Sequence, residues 1–185
     1  MEDDLEAIIA DAISGDERAF QSIVKRHSGL VWSIIRSYRL SRTDGEDAAQ
    51  GVWLAVVQHL ASLRDPQRLP AWIATTTRRK CLAVIRRSSR SPESNNDLIE
   101  RLTAENTEPD RQLLIDERAQ ALTEAFAELD ERCRELLSLL GSDPPLAYQD
   151  VSELLGVPIG AIGPTRTRCL EKIRRHRAIQ RLNLA

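Results

Sequence analysis

Cations crowd two parts of this sequence. No acid occurs between Asp65 and Glu93, and that window holds Arg68, Arg78, Arg79, Lys80, Arg86, Arg87 and Arg90. From Ala161 onward a single acid, Glu171, accompanies Arg166, Arg168, Lys172, Arg174, Arg175, Arg177 and Arg181. Such side chains bind phosphates by displacing condensed counterions, and arginine can also pair through two hydrogen bonds with the edge of guanine. Either stretch alone would equally suit a solvated helix face that complements the helix dipole. The wider charge distribution favours nucleic acid. The formal net charge is only -2, yet residues 1–90 carry 14 basic and 11 acidic side chains, residues 91–135 carry 5 and 13, and residues 136–185 carry 7 and 4. Two basic surfaces flanking an acidic connector suit a polyanion gripped at two places.

Other chemistry is poorly supported. The three cysteines, Cys81, Cys133 and Cys169, lie far apart without C-x-x-C spacing, so neither a disulfide framework nor a zinc knuckle is expected. His27, His59 and His176 are equally scattered. No Gly-rich phosphate loop, H-E-x-x-H or G-x-S-x-G occurs, and no catalytic residue, metal site or cofactor is expected. No apolar run approaches the roughly 18 residues of a membrane span. Met1-Glu2-Asp3-Asp4 lacks the basic start of a signal peptide, so a soluble cytoplasmic protein is the expectation.

The elements that must position the cations are helical throughout. The 185 residues are 42% hydrophobic but only 4% aromatic, a composition suited to Leu, Ile, Val and Ala packing in helical bundles. Leu5, Ile8, Ile9, Ala12 and Ile13 form one stripe, closed by Gly15; Asp16 can cap a second helix bearing Phe20, Ile23, Val24, Val31, Ile34, Ile35 and Tyr38. Thr43 with Glu46 resembles a capping box ahead of Ala48, Ala49, Val52, Trp53, Val56, Val57 and Leu60. Ser62 to Leu69 reads as a polar loop, and Pro70 suits the first turn of a helix running to about Arg87. Ser88 to about Asp110 is turn-rich and reads as a linker. Helix resumes after Pro109, Asp130 can cap the next, and Gly141 with Pro144-Pro145 ends it. The expected class is all-α: two small helical domains, residues 1–88 and 111–185, joined by a flexible acidic linker over 89–110.

Leu146 to Ile162 has helix-turn-helix spacing. Val151, Leu154 and Leu155 face inward, Gly156 permits a left-handed turn residue, and Val157 plugs the angle. Ile162, Cys169, Leu170 and Ile173 would seat the second helix, leaving Thr165, Arg166, Thr167, Arg168 and Lys172 as candidates to enter a major groove. Pro164 is tolerated only in a first turn, so this helix is predicted to start near Ile162 or to begin distorted.

In order and spacing, three stretches make the chain resemble a bacterial RNA polymerase sigma factor of the extracytoplasmic-function (ECF) group of the sigma-70 family. They are Asp44-Gly45-Glu46-Asp47-Ala48-Ala49-Gln50-Gly51-Val52-Trp53, Leu69-Pro70-Ala71-Trp72-Ile73 with the basic helix after it, and Leu146 to Arg175. The resemblance implies a region 2 domain that binds core polymerase and the minus-ten element, and a region 4 domain that reads the minus-thirty-five element. Its implied partners are core RNA polymerase, through the clamp helices of the largest subunit and the flap of the second, promoter DNA, and an anti-sigma factor. Asp47 and Gln50 would contact polymerase. Arg64, Gln67 and Arg68 would line a pocket for an extruded base, and Arg78, Arg79 and Lys80 would hold the strand. Trp72 is expected to be core rather than a stacking platform. Gly51 stands where the family commonly has Glu, Arg79 where it commonly has Asn, and Gly163-Pro164 replaces a polar pair in the recognition helix. The competing readings are a conventional helix-turn-helix regulator with an N-terminal sensor or dimerisation bundle, and a thiol switch built on the cysteines.

Overall fold

The computed structural model describes residues 2–88 and 109–182, with side chains over 5–88 and 117–182. Residues 89–108, most of the predicted linker with Arg90, lie outside the described residues. Four helices come first: α1 (Glu2–Ile13), α2 (Glu17–Ser37), α3 (Arg42–His59) and α4 (Leu69–Ser88). Five follow: α5 (Pro109–Ala127), α6 (Glu131–Leu140), α7 (Tyr148–Leu155), α8 (Ile159–Arg175) and α9 (Arg177–Leu182). Among the described residues there is no strand, and no helix is long and apolar enough to cross a membrane.

Local signals set most helix starts. Asp16 accepts from the amides of Arg18 and Ala19, and Asp130 from that of Cys133, so each carboxylate satisfies donors the helix cannot. The start of α3 differs from expectation. Ser41, not Thr43, is the cap: its hydroxyl accepts from the Asp44 amide and donates to the Asp44 carboxylate. Arg39 turns the chain just before it with a left-handed φ of 52°. The predicted loop over Ser62–Leu69 is partly ordered as two 3₁₀ turns, Leu60–Ser62 and Pro66–Arg68, the second capped by the Asp65 carboxylate on the Gln67 amide.

The first four helices pack around Ile23, Leu30 and Ile34 of α2, Val52 and Val56 of α3, and Leu69 and Ile73 of α4. In the second half Leu136, Leu139, Val151, Ile162 and Cys169 form the core. The two halves touch. Helix α6 packs on α2 as well as on α8, so the apolar cluster runs continuously from one half into the other. This double packing explains why Arg134 and Ser138, polar residues on a short helix, are buried. Arg134 donates from Nε to the Ser37 carbonyl at 3.1 Å and from Nη1 to the Leu129 carbonyl. A cation held at the C-terminal end of α2 also suits that helix's dipole.

Of the two readings for Pro164, the structure takes the distorted beginning: helix α8 starts at Ile159 and carries Pro164 inside it. Its first turn tightens, with the Ala161 amide on the Pro158 carbonyl, and Pro164 has no N–H to bond back to the Gly160 carbonyl. Against expectation, Cys133 and Cys169 form a disulfide: α6 and α8 bring two residues 36 apart in sequence to a Cα separation of 5.5 Å. A further short helix, α9, follows α8 after His176.

Candidate nucleic-acid interface

The first basic face is built by α4 and the 3₁₀ turn before it. Pro66–Arg68 directs the chain into α4 while buried Leu69 and Ile73 anchor the helix start. This leaves Arg64, Gln67 and Arg68 exposed at one end and Arg78, one and a half to two helical turns beyond Trp72, half-buried further along. Arg64, Arg68, Trp72, Arg78 and Arg79 line a single cleft of about 510 Å³. Gln67 and Lys80 are not among its lining residues. Lys80 instead runs along α3, where its Nζ lies 3.3 Å from the position a Cβ on Gly51 would take. Glycine at position 51 thus gives the lysine stem its path. Trp72 packs against the core, as expected from sequence, but at its edge rather than fully enclosed. It is half-buried, stacked on His59 with ring centroids 4.7 Å apart and planes 9° from parallel, and it forms part of the cleft wall.

The opposite wall was not foreseen: Asp150, Glu153 and Leu154 of α7 close the cleft from the second half. Arg68 Nη2 lies 3.8 Å from Asp150 Oδ1 and 3.7 Å from Glu153 Oε2. These loose contacts of a largely exposed guanidinium contribute little. Glu135 of α6 is different. Its Oε1 accepts from Arg78 Nε at 2.7 Å and also from the hydroxyl of buried Tyr38. The Glu135 side chain is only 14% exposed, so water screens this pair weakly. Burial, reinforced by Glu135, pushes the Tyr38 phenol upward and keeps it protonated as a donor. The sequence signal for Glu135 was slight, one acid among the many of the acidic stretch that it ends.

The second basic face lies on α8. Gly156 takes the left-handed conformation, φ 63° and ψ 37°, and the Ser152 hydroxyl donates to the Val157 carbonyl at 2.6 Å, fixing the turn between α7 and α8. Buried Ile162 and Cys169 seat α8. Arg166, Thr167 and Arg168 are exposed on its outer side, while Thr165 is half-buried. Arg168 donates to Thr165 Oγ1 at 3.2 Å, and Thr167 back-bonds to the Gly163 carbonyl at 3.1 Å. Lys172 stands apart from this group. Its ammonium sits 2.5 Å from Asp130 Oδ2, and that hydrogen bond holds the Asp130 carboxyl below its ordinary range.

A third exposed stripe runs along α3. Asp47 and Gln50 point to solvent. Leu54 and Val57 continue the same side at 60% and 55% exposure, although Val57 had been counted with the inward residues. Spacings of three, four and three residues put all four on one helix face.

Residues 23–91 match the sigma-70 region 2 family. Across 181 residues the chain is 24% identical to the ECF RNA polymerase sigma-E factor of Haemophilus influenzae, covering 91% of this chain and 92% of that protein. Two solved structures share the helical fold. One is the sigma factor RpoE with the anti-sigma factor NepR from Bartonella quintana (TM-score 0.63, 19% identity, 84% of this chain and 94% of that one). The other is CnrH with the cytosolic domain of CnrY (TM-score 0.57, 23% identity, 90% and 92%). The fold is a two-part helical arrangement that presents two basic faces. Residues 23–91 carry the match to sigma-70 region 2, and over most of its length the chain is similar to an extracytoplasmic-function sigma factor.

Proposed function

We propose that this chain is the sigma subunit that brings core RNA polymerase to promoters, with residues 1–88 acting on the minus-ten element and residues 111–185 on the minus-thirty-five element. The observation that carries this reading is the cleft in which Arg64, Arg68, Arg78 and Arg79 surround one half-buried tryptophan. Opening DNA requires unstacking a base at a cost of a few kcal/mol, so contacts available only to the opened strand must offset it. Trp72 can stack on that base, Arg64 and Arg68 can hold the phosphates beside it, and Arg78 and Arg79 can extend the grip along α4. Gln67 borders the same surface from outside the cleft, while Lys80 is turned along α3. The exposed Arg166, Thr167 and Arg168, with half-buried Thr165 beside them and Lys172 behind, read the upstream element as duplex. The α3 stripe of Asp47, Gln50, Leu54 and Val57 docks on the clamp helices of the largest polymerase subunit, the second half reaches the flap of the second subunit, and an anti-sigma factor is a further partner. A conventional regulator would use only the helix-turn-helix and would leave the α4 cleft without a role.

Transcription with core polymerase tests this. Arg64→Ala/Arg68→Ala should impair initiation on duplex promoters, and a template already mismatched over the minus-ten region should recover much of the loss. Equal failure on both templates would place the defect in polymerase docking or folding and reject the strand-holding role.

A further inference from the structure

We infer that His59 is a positioning residue for Trp72: it backs one face of the indole and so holds the other face toward the cleft for a single unstacked base. This rests on the strand-holding reading of the cleft. Two observations carry it. The imidazole and the indole lie 9° from parallel with centroids 4.7 Å apart, so the histidine covers one face of the tryptophan. Of the two rings, only Trp72 lines the cleft. His59 instead lines a small recess with Val56, Leu60, Leu63 and Leu69, which Trp72 also borders. The indole therefore stands between His59 and the cleft.

Local structure builds the stack. His59 is the last residue of α3 and Trp72 lies in the first turn of α4, so the pair closes the two ends of the segment that carries Arg64 and Arg68. Ser62 fixes the imidazole. Its Oγ lies 2.8 Å from the His59 carbonyl and 2.9 Å from His59 Nδ1. A hydroxyl has one proton to give. Donated to the carbonyl, it leaves Oγ to accept from Nδ1–H, and both contacts are satisfied. On the cleft side the helical neighbours of Trp72 are Ala71 and Thr75, whose short side chains leave room for a planar base. An indole bare on both faces can turn about its side-chain torsions and take a base on either side. Backed by a second ring, it keeps one orientation and offers one face. The platform then accepts one base and sets it at a fixed place beside Arg64 and Arg68. His59 touches no base in this arrangement and acts through Trp72.

The test uses holoenzyme, with the rate of strand opening read from permanganate reactivity of unpaired thymines on a duplex promoter. His59→Leu keeps an apolar side chain but removes the ring, His59→Phe keeps a ring, and Trp72→Leu removes the platform. His59→Leu should slow opening roughly two- to tenfold, the factor expected for losing one stacked ring pair. His59→Phe should open the promoter like the unsubstituted chain. A template already mismatched over the minus-ten region should recover much of the His59→Leu loss. In the Trp72→Leu background, His59→Leu should add nothing, because a residue that acts only through the indole then has nothing to hold. A phenylalanine variant as slow as the leucine one overturns the proposal, as do additive losses in the double variant. So does normal opening by either His59→Leu or Trp72→Leu. Should His59→Leu fail to fold, His59→Gln, which loses the ring but can still bond Ser62, decides: a loss that phenylalanine does not share supports the stack, and no loss rejects it. The wider strand-holding reading fails separately, if Arg64→Ala/Arg68→Ala shows no defect specific to duplex templates.

Discussion

Arg78 on α4 and Arg166 on α8 belong to basic clusters of similar size, but the fold gives them different neighbours. Arg78 is bonded to a carboxylate from the other half of the chain, and Arg68 faces two more. Arg166, Thr167 and Arg168 lie on the outside of the second half, with hydrogen bonds only inside α8 itself among the described residues. Charge counting makes the two clusters equivalent. Packing makes one engaged and the other ready. The difference follows from the position of α6, which lies between α2 and α8 and so carries Glu135 to the first cluster while holding the second outward.

The strongest way to break that comparison is to loosen what presents α8. Its face depends on the α6–α8 contact, which the Cys133–Cys169 disulfide closes across 36 residues. Cross-links of that loop length contribute about 2–4 kcal/mol, mainly by restricting the unfolded chain. Reduction, or Cys133→Ser/Cys169→Ser, should therefore lower the urea stability of the second half by about that amount. Cys81 should add nothing: burial pushes its thiol up to about 12, leaving it protonated and unreactive. A melt identical with and without reductant would show that apolar packing alone positions α8.

Paired arginine substitutions sharpen the comparison at smaller cost. In holoenzyme, Arg166→Ala and Arg168→Ala should each lose about 1–3 kcal/mol of promoter affinity and relax preference at one base pair of the upstream element. In the free chain, Arg78→Ala should leave duplex affinity unchanged, because its guanidinium already has a partner. Footprints and affinities unaltered by both α8 substitutions would reject the groove assignment, and a loss from Arg78→Ala in the free chain would show that the α4 face is open after all.

What was legible in the sequence was mostly local. Asp16, Asp130 and Gly156 do the jobs their types and positions suggest, because a cap or a left-handed turn depends on residues within one turn of the chain. The helical class, the helix-turn-helix and the exposed Asp47, Gln50, Arg166 and Arg168 followed from periodicity. The misses are non-local. Arg134 looks like a solvent residue until α2 covers it, and Glu135 gains its role only when Arg78 and Tyr38 arrive from about sixty and a hundred residues away. Spacing also could not pair Cys133 with Cys169, since the pairing is set by how α6 crosses α8. Val57 sits at a helical repeat position but beyond the edge of the face that α3 buries.

Acid should separate the two halves in the other direction, with the first half feeling it earlier. His27 of α2 is fully buried; its Nδ1 donates to the Ile23 carbonyl at 2.8 Å, and its Nε2 has no partner among the described residues. Burial, with a smaller contribution from the positive charge of Arg26, holds its pKa below the ordinary 6.5, although the hydrogen bond to Ile23 opposes the shift. The folded chain therefore resists a proton that the unfolded chain accepts. Above about pH 6.5 neither state is protonated there and the residue carries no penalty; as pH falls through 6.5 the unfolded state gains protons first and stability declines, until the folded-state pKa is passed. In the second half, Asp130 is held low by Lys172, so its favourable pairing persists until pH drops below 3.8, and its exposure keeps that contribution small. Between pH 6.5 and 5, then, loosening should begin in α2 and spare α6 and α8. Amide exchange at pH 7 and pH 5 reads this directly: faster exchange around Ile23 and Leu30, with the Leu136 and Ile162 amides unchanged. His27→Leu should remove the difference, and equal acceleration in both halves would mean that they open as one unit through the α2–α6 contact.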